Sequence, residues 1–150
     1  MKWGSHTIRT SSTTQGVIAL SSGEAEFYAV VKAASNAIGM QSMARDLGIE
    51  LKIRLWVDST ACIGMASRRG VGRIRHLHTS GLWLQRLVAD KVIEVKKVKG
   101  EVNPADLFTK HLTQPKTAEL MQLLSITTKP SQSKAQLKVA GDVASLLKLI

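Results

Sequence analysis

Between Ser21 and Gly48 the chain marks both ends of one long helix, and a strand pattern follows almost at once. Ser21-Ser22-Gly23-Glu24 fits a capping box, in which a Ser hydroxyl and a Glu carboxylate satisfy backbone N–H groups that the first helical turn leaves without partners. Phe27, Val30, Val31, Ala34, Ala37 and Ile38 recur at three- and four-residue spacing and so share one apolar face. Gly48 stands where a left-handed residue closes a helix, so the helix is expected over residues 22–47. Leu51, Ile53, Leu55 and Val57 then alternate with Lys52, Arg54, Trp56 and Asp58, the period of two of a half-buried strand that ends at Asp58.

The remaining elements are shorter. Two β-prone runs, residues 6–10 and 16–20, precede the long helix and are joined by a polar Ser/Thr stretch that reads as a turn. Residues 60–67 form a short helix capped by Ser59 and closed by Gly70, followed by a basic, glycine-rich loop over 68–75. Leu82, Leu84, Leu87 and Val88 mark a further helix, and the β-branched residues of 91–99 mark another strand. Asn103 as N-cap and Pro104 at the first helical position start a helix expected to run to Lys110, which Gln114-Pro115 breaks before a short amphipathic piece over 118–124. Strands alternating with helices indicate an α/β domain whose strand order and direction periodicity does not fix. One domain, residues 1–124, is expected, with residues 125–150 a poorly ordered tail outside it.

Composition removes several classes of function. With 44% apolar and 21% charged residues the chain is neither disordered throughout nor fibrous. No apolar run approaches the ~18 residues that cross a bilayer, and the first residues lack the apolar block of a signal peptide, so an intracellular, cytoplasmic protein with no membrane partner is expected. The single cysteine, Cys62, has no partner for an internal disulfide and no Cys or His neighbour at metal-finger spacing, and reads as a small buried apolar residue. A formal net charge of +10 favours a polyanionic partner such as nucleic acid without identifying it.

Four carboxylates carry the chemical question. Glu24 and Glu26 are two apart on the helix, roughly 200° around it, so they need separate explanations. Glu24 has a capping role, whereas Glu26 borders the face packed on the sheet and is the better candidate for a site. Asp58 closes a strand, where α/β folds collect ligands and metals, although the same position suits a cap on the next helix. Asp106, third after the Asn103 cap, is also explained as an anion at a helix N-terminus. If Glu26, Asp58 and Asp106 converge they supply hard oxygen ligands for Mg²⁺ or Mn²⁺, not for zinc.

Four blocks in order resemble the ribonuclease H domain of copia-type retroelement Pol polyproteins: Val17-Ile-Ala-Leu-Ser-Ser-Gly-Glu-Ala-Glu-Phe27, Val57-Asp-Ser-Thr-Ala61, Arg75-His-Leu-His with the helix Leu82-Trp-Leu-Gln-Arg-Leu-Val88, and Asn103-Pro-Ala-Asp-Leu-Phe-Thr-Lys110. The likeness covers about residues 3–124. It implies a mixed sheet flanked by helices, truncated at its N-terminus, and it places Glu26, Asp58 and Asp106 at three of the family's acidic positions. Such enzymes cleave the RNA strand of an RNA:DNA hybrid with two ions ~4 Å apart, one activating a water and the other stabilising the leaving oxygen.

The same resemblance puts the family's first aspartate on a strand ahead of the block that opens this chain, and residues 1–23 contain no Asp or Glu. The expectation is therefore a domain, normally joined to the reverse transcriptase of the same polyprotein and carried in a virus-like particle, that is inactive as this chain. A non-catalytic remnant that keeps some nucleic-acid binding is the alternative. Integrases and transposases of the same general fold place their glutamate last, whereas here Glu26 comes first. Arg68, Arg69, Arg73, Arg75, His76, Lys97 and Lys99, with Lys96 beside them, are candidates for phosphate contacts along a hybrid or for a merely solvated basic face. His78 is read as a solvated polar residue.

Overall fold

A computed structural model describes residues 1–70, 72, 79–107 and 109–126 of the chain. Its elements are strands β1 (Lys2–Trp3) and β2 (His6–Thr7), helix α1 (Ser22–Asp46), strand β3 (Ile53–Val57), helices α2 (Thr60–Ser67) and α3 (Thr79–Ala89), strand β4 (Ile93–Lys97), two 3₁₀ turns (Gly100–Val102 and Pro104–Asp106) and helix α4 (Gln114–Leu123). The result is mixed α/β, with two two-stranded sheets among the described residues: β1 against β2 antiparallel, and β3 against β4 parallel.

The long helix forms where the sequence places it. Ser21 is its N-cap, with an extended backbone and a side chain that accepts from the Glu24 N–H at 3.2 Å. The reciprocal bond differs from the simplest capping box: the Glu24 carboxylate accepts from the N–H of Leu20 at 2.9 Å, one residue before the cap, and from the Tyr28 hydroxyl at 3.1 Å. At the far end Gly48 takes φ +76°, and its N–H donates to Arg45 O at 2.9 Å. A side chain at that φ would crowd the following carbonyl, which is why glycine stands there.

β3 alternates as its sequence does: Ile53, Leu55 and Val57 are buried while Arg54 and Trp56 are half-buried. Its parallel partner runs in register from Ile53 opposite Ile93 to Val57 opposite Lys97. Parallel neighbours need a crossover, and α2 and α3 provide it. Phe27, Val30, Ala34 and Ala37 of α1, Cys62, Met65 and Ala66 of α2, Leu84 of α3 and the buried positions of both strands make one aliphatic core. A second, smaller core holds Leu107, Leu120 and Leu124, with Leu112, Met121 and Ile126 packed against it.

Three expectations are corrected. Residues 16–20 are not a strand: no described strand pairs with them, and Ile18 and Leu20 are exposed. The segment after Asn103 is a single 3₁₀ turn ending at Asp106, because Leu107 leaves the helical region at ψ 125° to enter the small core. Gln114-Pro115 does not break a helix but starts one. Proline has no N–H to lose in the first turn, so α4 begins at Gln114 and not near residue 118. The strand expected over 6–10 is shorter, β2 stopping at Thr7, and it pairs not with 16–20 but with Lys2–Trp3, which no sequence pattern marked.

The hairpin ties the two cores together. Met1 and Trp3 pack on the large core, while Lys2 Nζ donates to Leu123 O at 2.5 Å and Thr7 Oγ1 to Leu124 O at 2.6 Å, meeting carbonyls that the end of α4 leaves open. Ser125 Oγ donates to Ser5 O at 3.0 Å, and Ile126 packs on the small core, so the packed chain continues two residues past 124. Residues 127–150, the greater part of the expected tail, lie outside the described residues.

Candidate acidic site at the strand ends

The C-terminal ends of parallel strands leave carbonyls without partners and open a crevice, and this is where Asp58 stands. It follows β3 directly, half-buried, and the Val98 N–H donates to Val57 O at 3.0 Å, continuing the pairing one step past β4. Lys97 Nζ donates to the Asp58 backbone carbonyl. Gly100, in the turn after β4, passes so close that a Cβ there would lie 3.8 Å from Asp58 Oδ2. The chain after β4 is thereby led past Asp58 towards Asp106.

Glu26 reaches the same place from α1. The first turn of α1 lies tightly against α2: a Cβ on Gly23 would meet the Ala61 Cβ at 3.0 Å and Met65 Cε at 3.4 Å, so the small residue allows the close approach. Glu26 is exposed as a residue, yet partial enclosure of its carboxyl, followed by the charge of Asp58, raises its pKa above the usual carboxylate value, and Asp106 adds to this. Beneath them Cys62 is fully buried, and its thiol is pushed up to about 12 by burial first and then by the charges of Glu26 and Asp58. As expected for Cys62, it packs as a small apolar residue in the large core.

Asp106 belongs to the other side. Asn103, buried, accepts from the Ala105 N–H at 3.1 Å and so sets the 3₁₀ turn that ends in Asp106. The Asp106 carboxylate, with its side chain 18% exposed, accepts from Lys110 Nζ at 2.8 Å. The Lys110 ammonium is held protonated above its usual range by that bond first, and then by the charges of Asp106, Asp58 and Glu26. The charges of Asp58 and Asp106 thus both reach Glu26, and Lys110, paired with Asp106, opposes them there.

Carboxylate oxygens of this kind suit Mg²⁺ or Mn²⁺. Among the described residues no three His, Cys, Asp or Glu side chains stand close enough to hold an ion together. The donor set thus fits a hard divalent ion in kind, while the charge such an ion would carry is here supplied by Lys110.

Of the basic candidates, Arg68 is half-buried and Arg69 exposed just beyond α2, and Lys97 and Lys99 are exposed at the end of β4. Arg73, Arg75 and His76, with His78, lie outside the described residues. Two residues were missed by sequence reasoning. Gln85, buried on α3, accepts from the Gly70 N–H at 2.9 Å and donates to Met65 O at 2.9 Å and Gly70 O at 3.0 Å, fastening the start of the basic loop to the core. No pattern singles out one glutamine on an apolar face. Lys110 was legible in principle, since Asp106 and Lys110 stand at the i, i+4 spacing of helical ion pairs.

Fold and site together define a mixed α/β domain with an acidic cluster at the ends of its parallel strands. The chain is 29% identical over 105 residues to the retrovirus-related Pol polyprotein from transposon TNT 1-94 of Nicotiana tabacum, a match that covers 69% of this chain and 8% of that protein. The chain is thus related to a retrotransposon Pol polyprotein and spans a small part of its relative's length. No family model and no solved structure matches it. No helix among the described residues is long and apolar enough to cross a membrane.

Proposed function

We propose that the chain is a segment of the ribonuclease H domain of a copia-type Pol polyprotein, with Glu26, Asp58 and Asp106 as ligands for the Mg²⁺ or Mn²⁺ ions that cleave the RNA strand of an RNA:DNA hybrid. The observation that carries this reading is that Asp58, at the end of β3, and Asp106, in the turn after Asn103, both act by charge on Glu26 of α1. Acids from distant sequence positions, one with its pKa raised by burial first and then by the charges of the others, are the arrangement expected of a functional site. The relationship to a transposon Pol polyprotein supports the same assignment.

The ions would supply an activated water and stabilise the leaving oxygen. The chain's own part is to hold oxygen donors at the strand ends and to present cations to the hybrid's phosphates. Arg68 and Arg69 beyond α2, Lys97 at the end of β4 and Lys99 beyond it would make phosphate contacts, and Arg73, Arg75 and His76 extend the set in sequence. In an active element the domain works alongside the polyprotein's reverse transcriptase, inside a virus-like particle in the cytoplasm. Residues 1–124 form the domain segment and residues 125–150 its tail.

These residues supply three of the family's four acidic ligands, so the 150-residue protein by itself is expected to bind hybrid without cutting it. A second reading, a non-catalytic remnant with residual nucleic-acid binding, is favoured by the absence of a closed three-ligand group among the described residues. A labelled RNA:DNA hybrid incubated with the protein and Mg²⁺ separates the outcomes. Salt-sensitive binding without turnover is expected. Turnover that disappears in Asp58→Asn would remove the remnant reading and the expected inactivity together, and no preference for hybrid over single-stranded RNA would contradict the ribonuclease H assignment.

A further inference from the structure

We propose that the cleft between the first hairpin and the end of α4 binds one phosphate group of a nucleic-acid backbone, with Arg9 and His6 as its ligands. This contact rests on the reading of the chain as a nucleic-acid binder, yet it shares no residue with the acidic crevice at the strand ends and requires no metal ion.

The cleft has a volume of about 380 Å³ and is lined by residues 6–10 and 124–126. Ile8, Leu124 and Ile126 give it an apolar wall, the last two belonging to the small core. Its two sides are tied together, since Thr7 Oγ1 donates to Leu124 O at 2.6 Å and Ser125 Oγ to Ser5 O at 3.0 Å. The Ile8 N–H donates to Met1 O at 3.0 Å and the Arg9 N–H to the same oxygen at 3.4 Å, which fixes the backbone from which Arg9 projects. The cleft is thus held by hydrogen bonds in which its charged side chains take no part.

Those side chains are uncommitted. His6 and Arg9 are exposed, and neither the imidazole nor the guanidinium pairs with another described residue; nor does the Thr10 hydroxyl. No acid balances them: residues 1–23 contain no Asp or Glu, and on the α4 side the one acid, Glu119, is paired with Lys116 at 2.8 Å. The end of a helix carries partial negative charge that would repel an anion, but here Lys2 Nζ covers Leu123 O and Thr7 covers Leu124 O. Arg9 therefore offers its planar fork of N–H donors over a concave, acid-free surface, the geometry that phosphate oxygens accept. A net charge of +10 draws a polyanion more strongly than a single ion, which favours a backbone phosphate over free phosphate as the source.

Amide shifts of the ¹⁵N-labelled 150-residue protein, titrated with sodium phosphate and separately with a short RNA:DNA hybrid, test this in the parent, Arg9→Gln, Arg9→Lys and Arg45→Gln. Arg45, exposed at the end of α1, controls for the mere loss of one surface charge. Both probes are expected to move the amides of 6–10 and 124–126 saturably in the parent. Arg9→Gln is expected to lose the phosphate response, and Arg9→Lys to keep part of it. The slope of hybrid affinity against salt is expected to be shallower by about one phosphate contact in Arg9→Gln and unchanged in Arg45→Gln. Equal changes in Arg9→Gln and Arg45→Gln, or shifts spread alike over basic residues outside the cleft, would overturn the site and leave the ribonuclease H reading standing. A phosphate response with no hybrid response at these amides would overturn the backbone as its source. No hybrid binding by the parent would overturn the nucleic-acid reading, and this contact with it.

Discussion

Glu26 and Asp58 hang from the large core, whereas Asp106 hangs from the small one, and that difference explains the state of the site. Glu26 projects from a 25-residue helix whose buried face includes Phe27 and Val30, and Asp58 ends a strand whose alternate residues are all buried. Asp106 is held by one Asn103 cap and by Leu107, which among the described residues shares its buried cluster with Leu120 and Leu124. Two of the proposed ligands are thus fixed by packing that any change would disturb, and the third by a short turn with a lysine beside it.

Truncating each core is the strongest way to break the comparison. Phe27→Ala, at a fully buried position, is expected to cost about 3–5 kcal/mol in urea denaturation, and Leu120→Ala, in a smaller cluster freer to collapse, about 2 kcal/mol. Hydrogen exchange distinguishes them further: Leu120→Ala should deprotect α4 and the Asp106 turn while α1 and β3 keep their protection. Equal loss in α1 would mean that the two cores are one cooperative unit.

Asn103→Ala sharpens it at the level of one hydrogen bond. Loss of the 3.1 Å bond to Ala105 N–H is expected to cost about 1 kcal/mol and to weaken Mn²⁺ binding through Asp106, with the exchange of β3 amides unchanged. Unaltered Mn²⁺ affinity would show that the cap does not position Asp106.

The smallest effect is electrostatic. Because burial and Asp58 raise the Glu26 pKa in the fold, its contribution to stability is favourable at low pH and is lost as pH rises through the raised value. At pH 7 the ionised Glu26 is therefore a cost, and Glu26→Gln is expected to be more stable than the parent by about 0.5 kcal/mol, allowing for solvent screening. The advantage should vanish below about pH 4, where the carboxyl protonates in the unfolded chain too. Thermal melts at both pH values check it, and a less stable Glu26→Gln at pH 7 would mean that Glu26 supports the fold.

The two cores also differed in how far the sequence announced them. α1, β3, α2 and the Gly48 closure were legible because caps, glycines and periodicity all agree over those residues, whereas α2 ends at Ser67 with Arg68 extended and the Gly70 N–H bonds to Gln85 instead of closing the helix. The small core was not. Its leucines come from a turn and from a helix of ten residues, too short for a periodic signal, and Pro115 was open to opposite readings as a breaker or a starter. The strand-like run 16–20 shows the other limit, since alternation names a strand but cannot supply its partner. The acidic residues were each identifiable, and each had a local explanation as cap or helix-end anion. How near they come to one another depends on Gly23, Gly100 and the parallel pairing of β3 with β4, which only the fold supplies.

The most direct measurement is residue-resolved. Adding substoichiometric Mn²⁺ to ¹⁵N-labelled protein broadens amide signals near the bound ion, and a single site at the strand ends predicts that Glu26, Asp58 and Asp106 fade together, with Asp58→Asn abolishing the effect at all three. Broadening confined to one of them, or dispersed over other surface acids such as Glu94 and Glu119, would contradict a shared cation site.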